Sequence, residues 1–190
     1  MSDLTPELAA VAEELESARR HAHRLAEAAG DDAWGAAPEP GVWSAAECLQ
    51  HLNLTSGVYL PSVREVIEEG RRAGRLRRRA HRRDFIGWLF CRLLEPPARM
   101  RVKTPPRFVP RDPQPKDRVL GDFDRLQGEL ASLLAPADAL DLKGIKVRSP
   151  FAQWARYNIY SIFKVIAAHQ RRHLWQADRA LARIARAGTR

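Results

Sequence analysis

The chain reads as all-α, a four-helix bundle with a long proline-rich crossover between its second and third core helices. Three observations carry that expectation. Apolar residues recur every three or four positions in four separate stretches, which is the mark of amphipathic helices. Residues 96–115 hold seven prolines (Pro96, Pro97, Pro105, Pro106, Pro110, Pro113 and Pro115), so this stretch connects elements and is not one itself. Finally, 190 residues with 45% hydrophobic side chains are enough for one substantial core, so a single domain spanning 1–190 is expected.

The first stretch, residues 4–29, places Leu4, Leu8, Val11, Leu15, Ala18, Ala22, Leu25 and Ala29 on one face. Thr5 is positioned as its cap, and Pro6 falls in the first turn, where a missing amide costs nothing. His21 and His23 are two apart, so one helix points them to different faces; they are expected to be exposed. After a loop at 31–43, Ser44-Ala45-Ala46-Glu47 is a capping box, with Trp43 before it and Cys48 as the fourth residue inside, the arrangement of a hydrophobic staple. The helix it starts carries His51, Leu54, Thr55, Val58 and Tyr59 on a core-facing side. It is expected to bend at Pro61 and resume through Val63, Val66 and Ile67. Phe85–Leu94 is short, apolar and helical; it can cap the bundle, line a pocket mouth or pack on a second subunit, so a homodimer stays open. After the crossover, residues 116–135 form the third long helix, with Val119, Leu120, Phe123, Leu126, Leu130, Leu133 and Leu134 inward. Residues 136–150 are a loop, and the last helix runs from Phe151 or Tyr157 to Ala187.

Composition narrows the function. No apolar run approaches the ~20 residues a membrane span needs, and no basic-then-apolar leader opens the chain, so no membrane partner is expected. Two cysteines, Cys48 and Cys91, are too few for a disulfide framework, which suits a reducing, cytoplasmic setting. The net charge of +9 is uneven: residues 1–70 carry 4 basic and 13 acidic side chains, residues 71–111 carry 14 basic and 2 acidic. Eight arginines lie between Gly70 and Arg83. Like charges in a run repel and are usually solvated. There is little aromatic interleaving and no nucleic-acid-binding motif, so a small-molecule substrate is expected in preference to nucleic acid.

The candidate site is built from histidines. His169 and His173 stand four apart in the last helix, on one face and one turn from each other. Neutral imidazole is a common ligand of divalent metals, and two such rings can chelate one ion. A helix supplies only two ligands this way, and His51, two turns inside a firmly started helix, is the best third. If all three bind one ion at ~2.0–2.1 Å, their nitrogens should lie mutually within about 3–4 Å. The alternative is a core histidine bonded to a backbone carbonyl. Cys48, one turn before His51, can be a fourth ligand or a small packing residue. Gln176, one turn past His173, can orient a metal-bound water or satisfy a core contact. Glu47 is explained by its capping, so no general base is named.

These residues carry a resemblance. Trp43-Ser44-Ala45-Ala46-Glu47-Cys48-Leu49-Gln50-His51-Leu52 resembles the start of the second helix in the DinB/YfiT-like family of metalloenzymes. His169-x-x-x-His173-x-x-Gln176 resembles that family's pattern in the last helix. Both motifs occur in order, and the likeness, to the DinB-like branch, covers nearly the whole chain. It implies a four-helix bundle of DinB/YfiT type with His51, His169 and His173 on a divalent metal, whether zinc, nickel, manganese or iron. It also implies a metal-dependent transferase using a low-molecular-weight thiol. A hydrolase using metal-bound water, or a non-catalytic, stress-associated metal-binding module, are the alternatives. The arginine-rich insert at 71–83 and the apolar segment 85–94 depart from the simplest members.

Overall fold

The structure, a computed structural model, describes residues 4–76, 80–97, 103–111, 114–149, 151–152 and 154–188. Four long helices dominate it: α1 (Pro6–Ala28), α3 (Ala45–Arg72), α5 (Lys116–Ser132) and α7 (Ile159–Gly188). Between them lie the short helices α2 (Asp31–Gly35), α4 (Phe85–Leu94) and α6 (Leu134–Asp138), a 3-10 turn at Pro106–Phe108, and two strands, β1 (Lys146–Arg148) and β2 (Arg156–Asn158). Helix α7 packs on α1 and α3, and α5 packs on the same two from the other side. Each long helix thus touches two neighbours, as in a bundle.

The core has two large apolar clusters and a small third, where Cys91 of α4 meets Val165 and Ala168 of α7. One of the large clusters joins Leu8, Val11 and Leu15 of α1 to Leu60, Val63 and Ile67 of α3, Leu126 and Leu130 of α5, and Ile162 and Ile166 of α7. The other joins Ala18, Ala22 and Leu25 to Leu49, Leu52, Phe123, Leu174 and Ala177. On α7 the stretch from His169 to His173, between Ile166 and Leu174, is polar. There the amides of Gln170 and Gln127 bond each other at 2.8 and 3.2 Å, and Gln127 also donates to the Leu15 carbonyl at 2.9 Å.

Several expectations need correction. Thr5 stands at the cap of α1 but does not cap it; its hydroxyl and amide both donate to Asp138, at 2.6 and 3.1 Å. Helix α3 continues through Pro61 to Arg72, as expected. Thr55 and Tyr59 are buried as expected, but Leu54 and Val58 are exposed, because the buried stripe turns toward Ser56, Leu60 and Val63. His21 and His23 are half-buried, not exposed, and pair with Asp178 and Asp124 at 2.9 Å. The 136–150 loop contains the end of α6 and strand β1, whose Lys146, Val147 and Arg148 pair antiparallel with Asn158, Tyr157 and Arg156. Val147, Tyr157 and Asn158 are buried beneath this hairpin, and α7 starts only at Ile159, where Asn158 Oδ1 accepts from the Ser161 amide. The crossover was expected to lack regular structure, and one 3-10 turn interrupts it at Pro106–Phe108.

The arginine run splits into an exposed end of α3 (Arg71, Arg72), a left-handed turn at Gly74 with φ of +63°, and exposed Arg82 and Arg83. Arg77–Arg79, Pro113 and Pro150 lie outside the described residues. Helix α4 is helical as expected and docks on α7. Asp84 caps it, accepting from the Gly87 amide at 2.9 Å. A Cβ at Gly87 would sit 2.2 Å from the Ser161 side chain, so the helices approach this closely only because that residue is glycine.

Candidate metal centre

The capping box fixes where α3 begins. The Glu47 amide donates to Ser44 Oγ at 3.1 Å and the Ser44 amide to Glu47 Oε2 at 2.8 Å, which accounts for Glu47 without a catalytic duty. Two turns on, His51 is 3% exposed and points at α7. There it meets His169 and His173, stacked one turn apart on that helix. The three rings form a triangle, with centroids 5.0 Å apart for His51–His169, 4.4 Å for His51–His173 and 4.5 Å for His169–His173.

One ring nitrogen from each residue lies within 4.8 Å of the others. Nε2 of His51 and Nε2 of His169 are 3.2 Å apart. That matches two ligands at ~2.0–2.1 Å from one ion in tetrahedral geometry, whose separation is about 3.3 Å. The full triangle is somewhat wider than the 3–4 Å expected. Among the described residues no cysteine or carboxylate joins the group.

The crossover supplies what the motifs did not reveal. His51 Nδ1 donates to the Phe108 carbonyl at 2.7 Å, which fixes the tautomer and leaves Nε2 with its lone pair toward His169. The carbonyl-bonded core histidine and the metal ligand are therefore compatible: one nitrogen serves each role. Phe108 is itself fully buried. The apolar pair Phe108-Val109 between Pro106 and Pro110 was the available signal that this part of the connection docks. Trp43 does more than staple the helix start; its ring lies 4.9 Å from His51 and 5.8 Å from His173. Phe151 closes another side, 6.0 Å from His169.

Burial keeps these rings neutral. It lowers the pKa of His51, against the pull of its bond to Phe108. It drives His169 to about 3, helped by the neighbouring His51 and Arg172. It holds His173 well below the ordinary value, with His169, His51 and Arg172 adding to the shift and Gln176 opposing it. His173 Nδ1 is buried with no hydrogen-bond partner. A nitrogen buried without a partner, on one of three neutral imidazole rings packed together, is what a divalent cation satisfies. His169 is half-buried, so the cluster reaches the surface along that ring. Arg172, 7% exposed, donates to the Leu93 carbonyl at 3.2 Å and ties the end of α4 to the site.

A helical protein with a tri-imidazole cluster spanning its second and last long helices is the class these features define. The chain belongs to the DinB superfamily, whose family model matches residues 14–177 and so includes all three histidines. No curated protein and no solved structure matches it.

Proposed function

We propose that His51, His169 and His173 hold one divalent metal ion and leave a coordination position open, and that the chain, acting as one domain, is a metal-dependent transferase using a low-molecular-weight thiol on a small-molecule substrate. The observation that supports this most is the convergence of three neutral imidazoles, one with its tautomer set by Phe108, with no fourth anionic ligand among the described residues. A divalent ion on such a site lowers the pKa of a bound thiol or water and supplies a nucleophile at neutral pH. The protein's own residues hold and orient: Phe108 fixes the His51 ring, while Trp43 and Phe151 exclude water from two sides. Gln176, which interacts with the His173 ring, would orient a ligand there. His169, the most exposed of the three, marks the side from which a substrate approaches.

The hydrolase reading uses the same geometry with water as nucleophile. Elemental analysis of protein purified without a nickel column tests the site; about one equivalent of a single divalent metal is expected, and its absence would leave the cluster as packing only. A panel of electrophiles, offered with and without small thiols, separates the two chemistries. Turnover that depends on thiol supports the transferase, turnover in its absence supports the hydrolase, and none with full metal supports a non-catalytic, stress-associated module.

A further inference from the structure

Apart from Arg92, helix α4 is built of apolar residues and one glycine. Its inner face, Gly87 and Cys91, is buried against α7. Its outer face carries Phe85, Trp88, Leu89 and Leu93, exposed by 72%, 46%, 37% and 46%. At 100° per residue these four fall on one arc, with exposed Arg92 among them. Trp154, 76% exposed, extends the patch beside Phe90, with ring centroids 6.4 Å apart. A helix this apolar at a surface needs a cover, since scattered single residues are ordinary but a contiguous aromatic and leucine face is not.

Charge says what kind of cover. Arg82 and Arg83 line the same recess of about 480 Å³ as Phe85 and Trp88. Residues 71–111 contain just two acids, Asp84 and Glu95, and both are occupied. Asp84 accepts from the Gly87 and Asn158 amides and the Ser161 hydroxyl, while Glu95 pairs with Arg171. A second copy docked through the same patch would bring two basic surfaces together, which opposes a two-fold contact. With Phe85 and Trp154 exposed by 72% and 76%, the patch lies open to solvent and does not form an enclosed cleft for a peptide.

We propose that α4 is a membrane-surface anchor: Phe85, Trp88, Leu89, Leu93 and Trp154 enter the headgroup–acyl boundary of an anionic phospholipid bilayer while Arg82, Arg83 and Arg92 pair with its phosphates. Aromatic residues favour that boundary, and arginines reach from an apolar face to anionic headgroups. The sequence expectation of no membrane partner rested on the lack of a spanning segment, which a surface contact does not require. Binding here is independent of the metal reading.

The experiment is sedimentation of the full chain with vesicles of phosphatidylcholine alone and of phosphatidylcholine with phosphatidylglycerol, at physiological salt. Binding to the anionic vesicles is expected to be roughly tenfold stronger or more, and to fall by about tenfold in Phe85→Ser/Trp88→Ser and in Arg82→Gln/Arg83→Gln. These residues are exposed, so helical content and metal content should stay unchanged. Brominated lipids give a second measurement on the unaltered protein: they should quench Trp88 and Trp154 fluorescence. Equal binding to neutral vesicles, no quenching, or a stable dimer abolished by Phe85→Ser/Trp88→Ser would overturn the proposal.

Discussion

Two places in this molecule bury histidine, and they do so in opposite ways. His81, 6% exposed, has an acid: its Nε2 lies 3.1 Å from Asp138 Oδ1, and its ring stacks on Tyr160. Asp138 also takes the amide and hydroxyl of Thr5, so one carboxylate joins the start of α1, the end of α6 and the later part of the arginine run. At the other place three imidazoles face one another with no acid between them, and one nitrogen has no partner. A buried polar group with its bonds made is a structural pin. Buried groups that meet only each other leave room for something positively charged. The contrast separates the histidine that holds the fold from those suited to a ligand.

The sharpest way to break the contrast is to remove one member from each place. His51→Ala or His173→Ala should lower divalent-metal affinity by more than ~100-fold, since even residues that merely orient ligands are worth ~10–100-fold. Metal titration by calorimetry reads this, with helical content as the control. Asp138→Ala should leave metal binding intact but cost about 2–3 kcal/mol in urea unfolding, because His81 and Thr5 lose a charged, buried acceptor. If His81→Ala removed metal, or His173→Ala destabilised the fold as strongly as Asp138→Ala, the division of roles would fail.

Proton linkage gives a smaller effect with a definite sign. His169 has its pKa pressed to about 3 in the folded chain, whereas an unfolded histidine titrates near ~6.5. Between those values the unfolded chain binds the extra proton, so stability is fully present above ~6.5 and is lost as pH falls toward the folded value. In metal-free protein, lowering pH from about 7 to about 5 should cost the native chain up to about 2 kcal/mol more than it costs His169→Ala. Equal losses in the two proteins would mean that the folded ring accepts its proton freely and is not held neutral by burial.

The two sites also differ in how far the sequence exposed them. The tri-imidazole cluster was readable because helical spacing pairs His169 with His173, and the capping box at Ser44–Glu47 sets the level of His51. Both are local rules; that the two helices meet at this level comes from the resemblance of the two motifs to the DinB/YfiT-like pattern. The four long helices were likewise readable from local rules. The His81–Asp138 pin was not, since its members are 57 residues apart and neither has a local pattern around it. Nor was the Phe108 carbonyl, because a backbone acceptor has no residue type to announce it. The hairpin of β1 and β2 escaped because three-residue strands are too short to show alternation. Leu54 and Val58 misled because an apolar residue on the surface is common, and periodicity alone cannot choose between adjoining faces.

Cys48 sharpens the contrast at the lowest expected cost. It lies one turn before His51, and a thiolate there would be the anionic partner that the tri-imidazole cluster otherwise lacks. The structure speaks against that role. Cys48 is 1% exposed, it sits in the apolar cluster with Leu49 and Leu52, and it stands outside the metal-competent group. Burial, with the nearby Glu47 charge, pushes its thiol up to about 12, so it stays protonated at neutral pH. Cys48→Ala should therefore leave metal affinity unchanged and cost about 1 kcal/mol, the loss of one small buried group and its contacts. Cobalt substitution offers an optical check, since a cobalt–thiolate bond absorbs strongly in the near ultraviolet. A spectrum without that band, identical in the native chain and Cys48→Ala, keeps the site all-nitrogen. A band that vanishes on substitution would give the cluster its own anion and make the two histidine sites alike in charge.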